Sequence, residues 1–214
     1  DASTFKNMSE QKDILVIDTR SKESYINEGT VPGSWYIGID GNFAPWVGAI
    51  ILDINRKIIF ITDDELRVNE IVTRFSRVGY DQTLGYLNGG LTNWKAKGFD
   101  VDYIGSISAD KFTNMLAQGS VEKPIDVRRE SEYLSEHVLG VENFSLDFIH
   151  DNFAEIDTEK EYFLHCASGY RSLIAASIFK ANGVKKVTDV RGGFKDLKGT
   201  AAPMTDYVCP TTLL

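Results

Sequence analysis

The stretch Glu161–Phe179, with the sequence EYFLHCASGYRSLIAASIF, decides the fold. Its apolar and aromatic start predicts a buried strand, and Leu173–Phe179 predicts a buried helix. Between them lies the loop Cys166–Ser172, which begins with a thiol. Backbone N–H groups of a tight strand-to-helix turn can point into one concavity, and the start of the helix adds partial positive charge. The stretch therefore predicts an anion-binding loop that favours a thiolate.

The residues of this loop have different expected roles. Cys166 is the candidate catalytic nucleophile, because the thiolate is the reactive form of the side chain. Arg171 is the second catalytic candidate and is expected either to orient an anionic substrate or to brace the loop. The candidate substrate-binding residues supply backbone N–H groups, hydroxyls or an aromatic wall: Ala167, Ser168, Gly169, Tyr170 and Ser172. The simpler alternatives are a buried structural cysteine and a tyrosine packed on its own loop.

An internal repeat organises the rest of the chain. An apolar strand that ends in Asp18-Thr19-Arg20 corresponds to a later one that ends in Asp126-Val127-Arg128. Near the end of each copy, Gly89-Gly90-Leu91 corresponds to Gly192-Gly193-Phe194. Short apolar strands alternate with helical segments in both copies, which predicts an α/β fold with helices on both faces of a parallel sheet. We interpret the Asp-x-Arg pairs as structural ion pairs or loop-positioning groups.

The two copies define two expected domains, residues 1–104 and residues 105–214, whose loops differ. Thr62 stands in the first copy where Cys166 stands in the second, and Asp63-Asp64-Glu65 follows it. Three acidic side chains at this place repel an anion. We therefore expect the first domain to be catalytically inactive and the second domain to carry the catalytic loop.

Two segments of the first copy carry further predictions. The apolar spacing of Glu65–Val78 predicts an amphipathic helix that packs on the sheet. The aromatic-rich insert Trp35–Trp46 is expected to place about half of its side chains in the core of the first domain. The other half is expected to line the interface between the domains or to dock another protein.

Composition excludes several classes of function. The formal net charge of −8 over 214 residues argues against non-specific binding to nucleic acid or to an anionic membrane. No segment approaches the roughly 18 apolar residues of a membrane helix, and no signal-peptide pattern is present. Two cysteines, Cys166 and Cys209, and three histidines at no ligand spacing predict no metal and no cofactor. So few cysteines favour a reducing, cytoplasmic location.

The motifs resemble those of the tandem rhodanese family, in the same order and over nearly the whole chain. They are the repeated Asp-x-Arg, the cysteine loop and the Gly-Gly pair, together with Gly29–Ser34 and His137–Val141. The resemblance implies two rhodanese-like α/β domains and a sulfurtransferase. In such an enzyme Cys166 takes sulfane sulfur from thiosulfate or a low-molecular-weight persulfide. The Cys166 persulfide then passes the sulfur to cyanide, sulfite or a thiol.

Two segments resemble a narrower group. Phe43–Ala49 and Thr205–Thr212 are similar to parts of the C-terminal rhodanese pair in bacterial fusions with a metallo-β-lactamase-fold domain. Those fusions are similar to persulfide dioxygenases. The resemblance implies such a domain as a partner within a longer parent chain, besides small anionic sulfur donors and acceptors. The chain begins at Asp1 and not at Met, so we expect a processed form or a piece of a longer protein.

Two other functions stay open at this point. Tyrosine phosphatases have His-Cys, five intervening residues and then Arg followed by Ser or Thr, whereas only four residues separate Cys166 from Arg171. The shorter loop suits one sulfur atom better than a tetrahedral phosphate. The other alternative is a non-catalytic interaction or regulatory module that docks on a metallo-β-lactamase-fold partner.

Overall fold

The computed structural model describes residues 1–209, and its internal contacts divide the chain into two units after Tyr103. The elements of the first unit are α1 (Ala2–Ser9), β1 (Ile14–Asp18), α2 (Lys22–Glu28), β2 (Trp35–Tyr36), α3 (Phe43–Ile50), β3 (Lys57–Ile61), α4 (Val68–Ser76), β4 (Thr83–Tyr86) and α5 (Gly90–Ala96). Those of the second are β5 (Gly105–Ile107), α6 (Ala109–Ala117), β6 (Lys123–Asp126), α7 (Glu130–Ser135), β7 (Glu142–Asn143), α8 (Ile149–Asn152), β8 (Glu161–His165), α9 (Arg171–Ala181), β9 (Lys186–Val190) and α10 (Gly193–Leu197).

Each unit is built on one parallel sheet with helices on both faces, which confirms the predicted fold class. The strand order is β2-β1-β3-β4 in the first unit and β5-β9-β8-β6-β7 in the second. All the named strands pair in parallel. Since the carboxyl ends of parallel strands share one edge of a sheet, the loops after β8 and β9 lie side by side. The cysteine loop follows β8, and the Gly-Gly pair follows β9.

The second unit buries apolar side chains on both faces of its sheet. On one face Phe112, Phe163 and Val190 pack with residues of α10 in a single cluster. On the other face α9 is buried on nearly all sides, because its residues 172–179 are all buried. The uniformly apolar sequence of this helix predicts that burial. Side chains alternate along β8, so Leu164 faces α9 while His165 faces the opposite layer.

The first unit departs from prediction at the start of α4. The predicted helix Glu65–Val78 begins as a short 3-10 turn at Glu65–Arg67, and the α-helix spans Val68–Ser76. The carboxylate of Asp64 accepts a hydrogen bond from the Leu66 N–H at 2.9 Å, which caps the tighter turn. The apolar pattern locates the helix, whereas the local cap sets where it begins.

The aromatic-rich insert Trp35–Trp46 contributes mainly to the core of the first unit. Its buried side chains include Tyr36, Ile37, Phe43 and Trp46. Phe43 packs edge-to-face on Phe75 of α4, with ring centroids 4.9 Å apart. The half of the prediction that assigned this insert to the core is confirmed.

A buried Asp–Arg pair lies at the end of β1 in the first unit and at the end of β6 in the second unit, as the Asp-x-Arg motif predicts. Arg20 donates to Asp18 at 2.8 Å, and both side chains are fully buried. Arg128 donates to Asp126 at 2.6 Å, and these side chains are 5% and 0% exposed. Arg128 also donates to the carbonyl of Glu136 at 2.8 Å. Each pair therefore fixes the chain that leaves the sheet, because a buried charge must keep its partner.

Within residues 1–209, none of the helices is both long enough and apolar enough to cross a lipid bilayer.

Candidate active site

The thiol of Cys166 lies at the carboxyl end of β8, below the start of α9. Cys166 is only 1% exposed. The N–H of Gly169 donates to Cys166 Sγ at 3.1 Å, so the loop folds back over the sulfur. This turn requires glycine, since Gly169 has a φ of +91°. An N–H aimed at Sγ stabilises a thiolate more than a thiol, because it donates to the charged form.

The start of α10 holds the carbonyl side of the same loop. The N–H of Phe194 donates to the Cys166 carbonyl at 2.6 Å, and the N–H of Lys195 donates to the Ala167 carbonyl at 3.1 Å. The N–H of a trans peptide points away from its own carbonyl. The N–H groups of Ala167 and Ser168 are therefore directed away from α10. The Gly-Gly motif thus orients the donors that the sequence predicted for an anion.

Gly193 packs closely against the cysteine loop, and it yields a matched test. A Cβ at Gly193 would lie 2.3 Å from the Cys166 carbonyl oxygen, whereas a Cβ at Gly90 would lie 3.2 Å from the Thr62 carbonyl oxygen. The two glycines have nearly the same φ, +58° and +57°. Gly193→Ala should therefore displace the cysteine loop and lower the rate of Cys166 chemistry by at least about tenfold.

Gly90→Ala is the control for backbone strain. It should cost the first unit about 1 kcal/mol, as an alanine with positive φ does, and leave the Cys166 rate unchanged. Initial rates and urea unfolding midpoints of both variants check this pair. Equal losses of rate in the two variants would contradict the positioning role of Gly193.

Arg171 is bound by a carboxylate from another element. Its guanidinium donates to both oxygens of Glu132, at 2.5 and 2.8 Å, and its side chain is 17% exposed. The hydrogen bond from Arg171 to Glu132 raises the pKa of the arginine above its usual value. Burial opposes ionisation of Glu132, but the bonds and charge of Arg171 outweigh it and hold the pKa of Glu132 below its usual value. The fork therefore ties the start of α9 to α7.

The other predicted loop residues differ in exposure. Ala167 and Tyr170 are half-buried, and Ser168 is exposed. Ser172 is fully buried, and its Oγ lies 3.6 Å from Cys166 Sγ. The same hydroxyl donates to Asp189 Oδ1 at 2.6 Å. Ser172 thus links the thiol to a buried carboxylate at the end of β9.

His165 precedes the cysteine but faces away from it. Its ring is fully buried, with Nδ1 3.8 Å from Asp126 Oδ1 and 3.4 Å from the Cys166 carbonyl oxygen. Its Nε2 has no hydrogen-bond partner among the residues that the structure describes. Burial lowers the pKa of His165, although the charge of Asp126 opposes that shift. His165 is therefore a neutral core residue and not a base for the thiol.

The lowered pKa of His165 predicts a pH dependence of stability. An unfolded histidine binds a proton below about pH 6.5, whereas the folded one does so only at lower pH, so stability falls as pH drops through this window. The loss should approach about 1.4 kcal/mol per pH unit. Urea unfolding of wild type and His165→Phe, compared between pH 7 and about pH 5, checks this. The variant should lose less stability, and parallel curves would contradict the expectation.

In the corresponding loop of the first unit, polar side chains of the protein accept hydrogen bonds from the backbone N–H groups. The Asp64 N–H donates to Thr62 Oγ1 at 3.2 Å, and the Gly89 N–H donates to Glu65 Oε1 at 2.7 Å. Arg67 donates to Asp40 at 2.8 and 3.1 Å. A carboxylate of the protein thus binds the backbone N–H at the start of α5.

A cavity of about 510 Å³ lies at the same edge of the second sheet. Its lining residues are Ser108, Ala109, Asp110, Arg191, Lys195, Asp196, Gly199 and Thr200. It adjoins the cysteine loop through the bond from the Lys195 N–H to the Ala167 carbonyl. Two cations and two carboxylates line it, so it offers partners to both charges of a zwitterion.

Sequence reasoning missed two carboxylates of the site. Glu132 lies 39 positions before Arg171, so nothing local to the cysteine loop indicates it. Asp189 carries a visible signal, because it is an acidic residue within the apolar strand Lys186–Val190. A buried carboxylate needs a partner, and in this fold that partner is Ser172.

Together these features define a two-unit α/β protein with a buried thiol beneath a helix in its second unit. The model of the rhodanese-like domain matches residues 1–97 and again residues 108–200. The chain therefore belongs to the rhodanese-like family, and the predicted tandem arrangement is confirmed. The narrower resemblance to metallo-β-lactamase-fold fusions stays a prediction, and part of its segment Thr205–Thr212 lies outside the described residues.

Two curated relatives come from Bacillus subtilis (strain 168). The chain is 36% identical over 75 residues to the uncharacterised protein YqhL, covering 35% of this chain and 60% of YqhL. It is 32% identical over 96 residues to a protein named "Putative sulfur carrier protein YrkF", covering 45% of this chain and 52% of YrkF. The chain thus spans less than two thirds of either relative.

Two solved structures are among those similar to parts of this chain. A rhodanese-like domain protein from Staphylococcus aureus is 26% identical with a TM-score of 0.41, covering 44% of this chain and 91% of that one. Thiosulfate sulfurtransferase from Pseudomonas aeruginosa is 16% identical with a TM-score of 0.40, covering 91% of this chain and 41% of that one. At these scores neither likeness bears on the function of this chain.

Proposed function

We propose that the protein is a sulfurtransferase that carries sulfane sulfur on Cys166. The observation that carries this proposal is the buried thiol, which receives the Gly169 N–H at 3.1 Å. The carbonyls of Cys166 and Ala167 point toward α10, so the N–H groups of Ala167 and Ser168 point to the other side of the loop and are available to an anion. Membership of the rhodanese-like family supports the same chemistry.

The reaction has two displacement steps. In the first, the Cys166 thiolate attacks the outer sulfur of the donor, a new S–S bond forms, and the old one breaks to release sulfite or a thiolate. Cys166 then carries a persulfide anion, Cys–S–S⁻, which the loop N–H groups stabilise. In the second step, a thiophilic acceptor attacks the outer sulfur and takes it, and the Cys166 thiolate leaves. Electrons balance in each exchange without an external oxidant or reductant.

The position of Arg171 disfavours phosphoryl transfer. A phosphatase of this type needs its loop arginine to bind two oxygens of the phosphate, as a bidentate fork. Here the fork is already filled by Glu132, at 2.5 and 2.8 Å. Arg171 instead acts as a positioning residue that fixes the start of α9.

A low-molecular-weight persulfide with amino-acid charges suits this site better than thiosulfate. The neighbouring cavity presents Arg191 and Lys195 together with Asp110 and Asp196. Such a lining matches a carboxylate and an ammonium on one small molecule, whereas the carboxylates repel a dianion. A thiol is then the natural acceptor, and a reducing compartment such as the cytoplasm would maintain it.

The first unit is proposed to be non-catalytic. Thr62 offers no thiol, and the acidic side chains of Asp63, Asp64 and Glu65 follow it and repel an anion. Its role is then structural, or it docks another domain, for which a metallo-β-lactamase-fold domain remains the proposed partner.

Initial-rate kinetics tests the proposed function. A covalent persulfide predicts ping-pong behaviour, with parallel double-reciprocal plots when donor and acceptor are varied together. Thiosulfate and glutathione persulfide serve as donors, with cyanide as the acceptor and thiocyanate as the measured product. Intersecting lines would contradict the covalent intermediate. Hydrolysis of an aryl phosphate that depends on Cys166, without sulfur turnover, would replace it with a phosphatase.

A further inference from the structure

A carboxylate that the two displacement steps do not use lies next to the reactive thiol. Asp189 is 1% exposed, in the last part of β9. Its Oδ1 accepts the Ser172 hydroxyl at 2.6 Å, and Ser172 Oγ lies 3.6 Å from Cys166 Sγ. All three residues are nine-tenths or more buried. A continuous hydrogen-bonded row therefore leads from the sulfur to a buried acid.

The chemistry of the row allows two proton arrangements. With an ionised Asp189, the Ser172 hydroxyl donates to the carboxylate, and only its lone pairs face the sulfur, which suits a thiol. With a thiolate at Cys166, the hydroxyl must turn to donate to the sulfur. The carboxyl oxygen at 2.6 Å then needs a proton of its own, because two acceptors at that distance repel. The charge states of the two ends are therefore linked.

We propose that Asp189 takes up the proton of the Cys166 thiol through the Ser172 hydroxyl. The thiol proton passes from Sγ to Ser172 Oγ while the hydroxyl proton passes from Oγ to Asp189 Oδ1. The row keeps its two protons and its charge of minus one, and the negative charge moves from the carboxylate to the sulfur. After sulfur transfer the anion lies on the outer sulfur, one atom further from Asp189.

The elements packed around Asp189 place mainly uncharged groups next to it, and the Ser172 hydroxyl links it to the thiol. The residues opposite Asp189 on the neighbouring strands are uncharged, Ser106 on β5 and Leu164 on β8. The buried positions of α9 are also uncharged. Arg171, the first residue of α9, is neutralised by Glu132. The exposed side chain of Arg191 follows two residues after Asp189.

The charged groups beside Cys166 are few as well. Arg171 interacts electrostatically with the thiolate. His165 and Asp126 are register partners whose side chains share the opposite face of the sheet. On the α10 side the contacts to the loop are backbone hydrogen bonds of Phe194 and Lys195. A proton that leaves Sγ therefore has Ser172 as its nearest hydroxyl partner.

The test is the rate of Cys166 alkylation by iodoacetamide from about pH 4 to about pH 9, read at this residue by peptide mass spectrometry. This readout separates Cys166 from the exposed Cys209. A coupled pair titrates in two steps. The logarithm of the wild-type rate should thus rise with pH, stay level over about one pH unit or more, and rise again.

Three variants decide the route of the coupling. Asp189→Asn and Ser172→Ala should each remove the level region and leave one titration, and the double variant should match the single ones, because both changes cut one path. A wild-type profile with a single titration would overturn the proposal. So would a level region that survives in Ser172→Ala, since that coupling would act through space. Circular dichroism checks the fold, and Ser172→Ala carries the test if Asp189→Asn does not fold.

Proton sharing between Cys166 and Asp189 concerns the same thiol and so rests on the proposed function. The experiments nevertheless distinguish a failure of one proposal from a failure of the other. Alkylation reports the proton on Cys166 without any sulfur donor. A sulfur adduct on Cys166 together with a single-step alkylation profile would contradict proton sharing with Asp189 and leave the sulfurtransferase assignment intact. A two-step profile without any adduct would contradict the sulfurtransferase assignment and leave proton sharing intact.

Discussion

Cys166→Ser should reduce sulfur turnover by at least about a thousandfold. A serine hydroxyl is a far weaker nucleophile toward sulfur, and it cannot hold the transferred atom as a persulfide. The substitution is nearly isosteric, so the buried loop should keep its fold around Gly169. Steady-state thiocyanate formation, with glutathione persulfide as donor, measures the loss.

Cys209→Ser is the matched control for that loss. Cys209 is exposed, whereas Cys166 is buried beneath α9. The control variant should keep wild-type turnover, because the proposed chemistry needs only one thiol. Turnover that persists in Cys166→Ser and disappears in Cys209→Ser would move the site out of the loop.

Asp126→Asn should lower the unfolding free energy of the second unit by about 3–5 kcal/mol. The substitution leaves Arg128, 5% exposed, as a buried cation without its carboxylate at 2.6 Å. The guanidinium lies over the Phe194 ring, 3.8 Å from its centroid. That ring follows the Gly-Gly pair, so the loss should also loosen the contact between α10 and the cysteine loop.

Asp18→Asn provides the same substitution in the other unit. Asp18 and Arg20 are both fully buried, so the loss should be of similar size but confined to the first unit. Hydrogen exchange read by peptide mass spectrometry separates the two units. Exchange that rises in both units after either substitution would show that the pairs do not act locally.

The fold was predictable because its information is local. The apolar run of β8 and the uniformly apolar α9 each specify an element, and the repeat doubles the evidence. The helix α9, Arg171–Ala181, contains the predicted buried helix Leu173–Phe179 and extends it by two residues at each end. The start of α4 was not predictable in the same way, since apolar spacing does not report that Asp64 caps a tighter turn at Glu65–Arg67.

Only the part of the site that lies within the cysteine loop was predictable from the sequence. Cys166 and the turn at Gly169 follow from the order of strand, loop and helix. The partners of the loop come from distant strands and helices: Glu132 on α7, Asp189 on β9 and Phe194 on α10. Their contacts depend on the order of strands in the sheet, which the apolar pattern of one segment does not encode.

The central claim is that Cys166 carries sulfane sulfur. Its most direct test is peptide mass spectrometry of wild type treated with glutathione persulfide and then with cyanide. We expect an increase of about 32 Da, one sulfur atom, on the peptide that contains Cys166, and its removal by cyanide. An unmodified Cys166, or an adduct that cyanide does not remove, would contradict the assignment of this loop as a persulfide site.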